Sequence, residues 1–191
     1  MEPLRFPMNK LSTRARAFNL IKERSFRRGD FVLVSGKQSK FYLDMKPTMF
    51  HPEGANLLAE LIFERIQDLK PDYVGGLAMG AVPLVSAINL LSELRNQPIS
   101  GFFVRKEVKD HGTGKRVESA GPLKGNQVVI LEDVTTSGGS AMQAVKAVQG
   151  EGASVLLILS MVDREEGAAE FFAKEKLPFD SLFRVSEFMA G

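Results

Sequence analysis

The 191-residue chain contains no cysteine, which excludes disulfide bonds, thiolate metal sites and a cysteine nucleophile. This absence also fits a reducing compartment. Long apolar runs are missing as well, because the densest, residues 155–162, is much shorter than the roughly 18 residues that a membrane-spanning helix needs. Residues 1–10 contain two prolines and lack the apolar segment of a secretory signal. We therefore expect a soluble, cytoplasmic protein with no membrane partner.

The chain also lacks an excess of charge of either sign. Its 25 Lys and Arg residues nearly balance its 23 Asp and Glu residues, so the net charge is only +2. A sequence pI of about 8.9 therefore does not by itself imply a nucleic-acid partner. Hydrophobic residues at 44% and charged residues at 25% are typical of globular proteins and exclude disordered, collagen-like and coiled-coil chains. At this length we expect one globular domain or two small ones.

Hydrophobic patterning predicts an α/β fold. Apolar residues at helical spacing indicate a helix over 11–26, and two β-prone runs around a Gly- and Ser-containing turn indicate a hairpin over 31–43. Beyond it, helices predicted over 52–66, 80–95, 138–149 and 165–174 alternate with strands predicted over 73–77, 99–104, 127–134, 153–162 and 179–185. This alternation predicts a central, mainly parallel sheet flanked by helices. Because no repeat or linker interrupts it, we expect a single domain over 1–191, with an N-terminal helix and hairpin annexe over 1–50.

The most informative stretch is VVILEDVTTSGGSA, residues 128–141, in which an apolar strand runs into Glu132 and Asp133 and then into a small-residue turn. Ligands of open α/β sheets bind at the carboxyl ends of the strands. A turn of this kind at a helix N-terminus binds phosphate through its backbone amides, although a Gly-rich turn can also serve only to cap a helix. The carboxylates would repel that phosphate, so we expect them to bind hydroxyl groups of the same ligand or a Mg²⁺ ion. No Gly-Lys-Ser/Thr of a P-loop follows.

The whole string resembles the signature of the type I phosphoribosyltransferases, which bind phosphoribosyl pyrophosphate (PRPP). The resemblance implies that Glu132 and Asp133 contact the ribose hydroxyls and that the following turn cradles the 5′-phosphate. The PRPP-binding residues implied in this turn are Val134, Thr135, Thr136, Ser137, Gly138, Gly139 and Ser140. Thr136 is also the family position expected to reach the base.

Residues 105–121 form a 17-residue connection without apolar periodicity, and loops of this length in compact domains are usually functional or disordered. A solvated, charge-balanced loop is one interpretation. However, its first residues, RKEVKDHGTG, resemble the catalytic loop of the orotate phosphoribosyltransferase branch of the family. This resemblance implies a mobile catalytic loop over 105–121, with PRPP contacts from Arg105, Lys106, Lys109 and His111. Lys109 and His111 are the candidate proton donors to pyrophosphate, and Asp133 is the catalytic carboxylate beside the ribose.

Two further segments resemble the same branch. MVDREEG, residues 161–167, matches its Asp-Arg-x-Glu-Gly motif, which implies that Arg164 binds the carboxylate of orotate through a bidentate contact. SGKQSKFYLD, residues 35–44, resembles the hood hairpin that covers the base, with Tyr42 and Leu43 as the base-facing pair, although an aromatic hairpin equally fits a core. The chain departs from some members at Val34 and Met79, where those members have lysine. The backbone amides of residues 78–79 remain candidates for binding pyrophosphate.

Together these segments predict an orotate phosphoribosyltransferase of pyrimidine (UMP) biosynthesis, which converts orotate and PRPP to orotidine 5′-monophosphate and pyrophosphate. The expected cofactor is Mg²⁺, held mainly through the substrate, with Glu132 and Asp133 as its nearest protein groups. The resemblance also implies a homodimer in which the loop acts across the interface. One alternative is a phosphoribosyltransferase for another base, which would not need Arg164. The other is a PRPP- or nucleotide-sensing regulator that binds RNA, which would need a basic face that the interspersed charges do not predict.

Overall fold

The computed structural model describes residues 11–32, 36, 38–107 and 115–190 of the chain. Val34, Lys109 and His111, which the sequence analysis singled out, lie outside these described residues. The elements follow in chain order: α1 (Thr13–Arg24), β1 (Phe26–Val32), β2 (Gln38–Leu43), α2 (Lys46–Met49), α3 (Pro52–Ile66), a 3-10 helix (Gln67–Leu69), β3 (Tyr73–Leu77), α4 (Val82–Leu94), β4 (Ser100–Val104), β5 (Val117–Ser119), β6 (Gln127–Thr135), α5 (Gly139–Gly150), β7 (Ser154–Asp163), α6 (Ala168–Lys174), β8 (Phe179–Arg184) and α7 (Val185–Met189).

The main sheet has six strands in the order β5-β4-β3-β6-β7-β8. Its strands run parallel except for β5, which pairs antiparallel with β4 at one edge. The connections lead from β3 towards one edge and from β6 towards the other. The carboxyl ends of β3 and β6 therefore flank the point where the strand order reverses, which is where ligands of such sheets bind.

Strand β6 is the centre of the sheet, and its side chains supply both hydrophobic cores. Val129 and Leu131 pack into the core on the side of α3 and α4, whereas Val128 and Ile130 pack into the core on the side of α5. All four are fully buried. Burial on both faces explains why this strand is apolar without alternation, and each such side chain contributes about 1.5–3 kcal/mol.

The hairpin of the N-terminal annexe consists of β1 and β2 and packs against α1 and α7. The ring of Phe188 in α7 stacks on Phe18 at 4.5 Å and lies 5.5 Å from the ring of Phe26. Phe26 was predicted to end the first helix, but it begins β1 opposite Leu43. The helix ends before it, and the buried hydroxyl of Ser25 at this boundary bonds to Thr48.

Three short elements depart from the predicted pattern. Helices α2 and α7 were not predicted, and residues 117–119 of the predicted loop 105–121 form β5 instead. The prediction of one loop is therefore wrong at its carboxyl end. Val117 is buried opposite Val104, and the amide of Arg105 donates to the carbonyl of Arg116 at 2.9 Å, which extends the pairing.

Candidate active site

Two adjoining cavities lie at the carboxyl ends of β3 and β6. The first, of about 310 Å³, is lined by the turn between β6 and α5. The second, of about 300 Å³, is lined by the turn between β3 and α4, by α2 and by both predicted carboxylates. Glu132, Val134 and Ser140 line both cavities, so one elongated ligand can extend from the first into the second.

The first cavity contains every residue of the predicted phosphate-binding turn, 134–140. Gly138 precedes α5 with a φ of +88°, and no side chain in the described part of the chain caps this helix. The amides of its first turn are therefore available to an anion, whose charge the helix dipole favours. The hydroxyl of Thr135 is buried without a hydrogen-bond partner among the residues the structure describes. This cavity has the chemistry of a phosphate site.

The glycine pair of this turn offers a test of its geometry. Replacing Gly138 with alanine is expected to cost about 2–4 kcal/mol of unfolding free energy, because the φ is unfavourable for alanine and the new Cβ would lie 2.7 Å from the ring of Phe172. Gly139→Ala is the matched control, since its added Cβ would lie within 4 Å of no described atom beyond its chain neighbours and the backbone of its own helix. Urea unfolding measures both, and equal stability of the two variants would contradict this account of the turn.

Of the adjacent carboxylates, Glu132 lines both cavities and Asp133 lines the second. Glu132 is only 8% exposed, and burial, together with the charge of Asp133, raises its pKa to about 8. Its Oε2 has no partner among the described groups. Burial also raises the pKa of Asp133, although the amide of Val134 donates to its Oδ1 at 2.9 Å. A buried carboxylate without a partner indicates a group that a ligand or cation completes.

The turn between β3 and α4 closes the second cavity. The Ala78–Met79 peptide bond is cis, and the amide of Ala78 donates to the carbonyl of Val104 at 2.8 Å. A Cβ at Gly80 would lie 2.7 Å from Oδ1 of Asp133, so glycine permits the turn to approach the carboxylate. The Met79 side chain is 72% exposed and brings no charge. The turn therefore offers its backbone, rather than a cation, to a ligand.

The predicted base-binding arginine lies at the end of β7, beside β6. The amide of Arg164 donates to the carbonyl of Thr135 at 2.9 Å, which couples the two strand ends. Its side chain is 7% exposed, its Nε pairs with Glu166 at 2.8 Å, and its Cζ lies 4.4 Å above the ring of Phe41. Its Nη2 lies 3.4 Å from the hydroxyl of Ser39. These contacts hold the guanidinium in one orientation.

The hood hairpin contacts this arginine through Ser39 and Phe41, and not through Tyr42 and Leu43, the pair predicted to face the base. Ser39 and Phe41 reach Arg164, whereas Tyr42 is 45% exposed on the other face of β2 and packs on Phe31. Leu43 is buried in the core. The period-two alternation of β2 places residues 39, 41 and 43 on one face, and this signal distinguishes Phe41 from Tyr42 once the strand is known.

Arg105 and Lys106, the first two residues of the predicted catalytic loop, differ in whether they line the second cavity. Lys106 lines the second cavity, and its charge lowers the pKa of Glu132. Arg105 lines neither cavity, because its guanidinium pairs with Glu118 of β5 at 3.0 Å and lies 5.3 Å from the ring of Phe103. The structure thus brings Lys106, but not Arg105, to the carboxylate pair.

The described ranges lack two kinds of feature. No group of three or more His, Cys, Asp or Glu side chains there is arranged to hold a metal ion. No helix in the same ranges is long and apolar enough to cross a membrane.

Comparison with known proteins gives a consistent picture. The phosphoribosyl transferase domain family matches residues 49–176. An orotate phosphoribosyltransferase of Rhodopseudomonas palustris (strain TIE-1) is 56% identical over 185 residues, which cover 95% of this chain and 99% of the relative. The crystal structure of Mycobacterium tuberculosis orotate phosphoribosyltransferase with Fe(III) dicitrate matches with a TM-score of 0.81 at 33% identity, covering 93% of this chain and 99% of that one. The same enzyme in complex with PRPP matches with a TM-score of 0.78 at 31% identity over the same shares.

Proposed function

The chain belongs to the phosphoribosyl transferase family and, within it, to the orotate phosphoribosyltransferases, and on this premise we propose that it transfers ribose 5-phosphate from PRPP to orotate. The products are orotidine 5′-monophosphate and pyrophosphate, and the step belongs to pyrimidine biosynthesis. The fold is the type I phosphoribosyltransferase fold, a mainly parallel sheet flanked by helices. We also propose that residues 1–191 form a single domain.

The observation that carries this proposal is the buried, oriented guanidinium of Arg164, whose backbone amide bonds to Thr135 of the predicted phosphate turn. Thr135 of β6 and Asp163 of β7 are opposite each other in the sheet, so Arg164 lies next to the predicted ribose site. A buried, oriented guanidinium recognises a carboxylate through two parallel hydrogen bonds. Uracil and the purine bases have no carboxylate, whereas orotate does, and this favours orotate as the acceptor.

The proposed mechanism is electrostatic and positional, without a covalent intermediate. The turn 134–140 binds the 5′-phosphate, and Glu132 and Asp133 bind the ribose hydroxyls beneath the carbon that loses pyrophosphate. As the C1–O bond to pyrophosphate breaks, positive charge develops on the ribose ring, and the charge of Asp133 stabilises it. Thr136 and Arg164 hold orotate so that its ring nitrogen bonds to C1 and loses its proton to solvent as pyrophosphate leaves. Loop residues Arg105, Lys106, Lys109 and His111 bind the pyrophosphate, and Lys109 or His111 donates the proton that it takes up.

The proposed cofactor is Mg²⁺, and the residues present fit it. Oε2 of Glu132 is buried without a partner in the described structure, and Asp133 is adjacent. Mg²⁺ is commonly held by one or two carboxylates together with substrate phosphates rather than by a full protein cage. Glu132 and Asp133 would be its protein neighbours, and the bound ion would neutralise charge on the pyrophosphate.

The direct test follows the ultraviolet absorbance of orotate in the presence of PRPP and Mg²⁺. We expect orotate to be consumed only when PRPP is present, with one pyrophosphate released for each orotate. Uracil and hypoxanthine serve as alternative acceptors. Turnover of either base at the rate of orotate would favour a phosphoribosyltransferase for another base.

Lys109 offers a test of the loop's role. Lys109→Ala is expected to lower kcat about 100-fold, because a cation and candidate acid at the leaving group is lost. The KM for orotate is expected to change little, since the loop contacts PRPP. Steady-state kinetics measure both, and an unchanged kcat would remove Lys109 from the mechanism.

We further propose a cytoplasmic homodimer in which the loop of one subunit completes the site of the other. The exposed side chains of Leu90 and Leu94 on α4, at 65% and 70%, support a protein-covered face. Sedimentation measures the oligomeric state. Mixing the inactive Lys109→Ala and Asp133→Asn variants is expected to restore partial activity, whereas a dimer without restored activity would place the loop over its own subunit's site.

A further inference from the structure

One wall of the second cavity is formed by α2, and Lys46 is the first residue of that helix. Its Nζ pairs with Oδ1 of Asp44 at 2.7 Å, and the same oxygen accepts a hydrogen bond from the backbone amide of Lys46 at 3.0 Å. The carboxylate thus holds both the backbone and the side chain of Lys46. The lysine side chain remains 61% exposed, so it is accessible to a ligand.

The charge of Lys46 acts on the carboxylate pair. It lowers the pKa of Asp133, whereas the charge of Lys106 lowers the pKa of Glu132. The hydrogen bond to Asp44, followed by the charges of Asp44 and Asp133, raises the pKa of Lys46, so its amine is a cation at neutral pH. Two ammonium groups from separate elements therefore interact with the two carboxylates of one cavity.

The order of the two cavities determines which part of PRPP reaches Lys46. On the proposed function the first cavity takes the 5′-phosphate, and the ribose binds at Glu132, which lines both cavities, and at Asp133, which lines the second. The pyrophosphate on C1 of the ribose then extends into the second cavity. A strongly anionic group there needs cations, and the turn that closes this cavity carries the uncharged Met79.

We propose that Lys46 is a PRPP-binding residue that contacts the pyrophosphate group from the α2 wall of the second cavity, together with Lys106. This inference rests on the proposed function. It assigns a substrate contact to the segment between the hood hairpin and α3, where none of the sequence motifs lies. The ion pair with Asp44 would then serve to orient the Lys46 amine towards the ligand while leaving it exposed.

A purely structural role for Lys46 predicts a different outcome. The anchors of α2 are the buried side chains of Thr48 and Met49, at 1% and 3% exposure. An exposed ion pair such as that of Lys46 and Asp44 adds little to stability. Lys46→Met is therefore expected to fold normally, with an unchanged thermal unfolding midpoint.

The experiment is calorimetric titration of the whole protein with PRPP and, separately, with inorganic pyrophosphate, both with Mg²⁺. Lys46→Met is expected to weaken binding of both ligands by about 10- to 100-fold, because a charge-assisted contact is lost. Lys46→Arg is expected to retain most of the affinity. Lys40→Met is the matched control, because the Lys40 amine also pairs with an aspartate, Asp30, but lines neither cavity. The KM for orotate is expected to be unaffected in every variant.

The outcomes separate this inference from the function on which it rests. If the unaltered protein binds PRPP while Lys46→Met binds it as tightly as Lys40→Met does, the role of Lys46 is overturned and the proposed function stands. If the unaltered protein binds neither PRPP nor pyrophosphate, both are overturned. A loss of binding in Lys46→Met with full recovery in Lys46→Arg supports the inference.

Discussion

Replacing Arg164 with leucine is expected to lower kcat/KM for orotate by about 1,000-fold, because the substrate carboxylate would be desolvated without a partner. The side chain is only 7% exposed and is fixed by Glu166, Ser39 and Phe41. The effect is expected mainly in the KM for orotate, whereas PRPP binds at the neighbouring strand end and its affinity should change little. Steady-state kinetics with each substrate varied in turn measure both quantities.

Arg14 provides the matched control for this substitution. Its guanidinium also lies over a phenylalanine ring, 4.6 Å from that of Phe183, and pairs with a glutamate, Glu187, at 2.6 Å. Unlike Arg164, it is half exposed, and it lies on α1 rather than at the end of β7. Arg14→Leu is therefore expected to leave kcat/KM for orotate unchanged. Equal kinetics for Arg14→Leu and Arg164→Leu would remove Arg164 from base recognition.

Replacing Glu132 with glutamine is expected to change activity and stability in opposite directions. Turnover should fall about 100-fold, because glutamine cannot become the carboxylate that the ribose hydroxyls and Mg²⁺ would bind. Above pH 8 the free energy of unfolding of Glu132→Gln should exceed that of the unaltered protein, because the unaltered protein must bury a second negative charge beside Asp133 at that pH. Burial raises the pKa of Glu132 from 4.5 to about 8, a difference equivalent to roughly 5 kcal/mol.

The sign of this pH dependence follows from proton binding. Between pH 4.5 and about 8 the folded protein keeps a proton on Glu132 that the unfolded chain has released. The contribution of Glu132 to stability is therefore full below pH 4.5 and is lost as pH rises through 8. Urea unfolding at several pH values is expected to show this loss in the unaltered protein and in Glu64→Gln, whose side chain is exposed on α3, but not in Glu132→Gln. An identical loss in Glu132→Gln would contradict the burial of its charge.

The parts of the fold that were predictable from sequence are those with strong local signals. Strand β3 and helix α3 have the predicted bounds, Tyr73–Leu77 and Pro52–Ile66, because proline and the apolar pattern mark their ends. Strand β5 has three residues and forms only because Val117 pairs with Val104. Helix α7 has five residues and depends on Phe188 packing against Phe18 and Phe26. Such long-range contacts leave no local pattern in the sequence.

The residues of the candidate site also fall into two groups, those with a local sequence signal and those without one. Glu132, Asp133 and Arg164 were identified because each lies in or just after the carboxyl end of a buried strand, within a family motif. Lys46 and Phe41 were not, since their positions depend on how the hairpin and α2 pack over the sheet. Lys109 and His111 lie outside the described residues, so their roles stay predictions that the kinetics of loop variants must test.

The central claim is that one site combines PRPP-binding groups, the turn 134–140 with Glu132 and Asp133, with a guanidinium that selects a carboxylated base. The most direct test is the ratio of kcat/KM for orotate to kcat/KM for uracil in the unaltered protein, at saturating PRPP and Mg²⁺. The account predicts a ratio of at least about 100, because uracil leaves the buried Arg164 without the carboxylate it is oriented to bind. A ratio near one would contradict it.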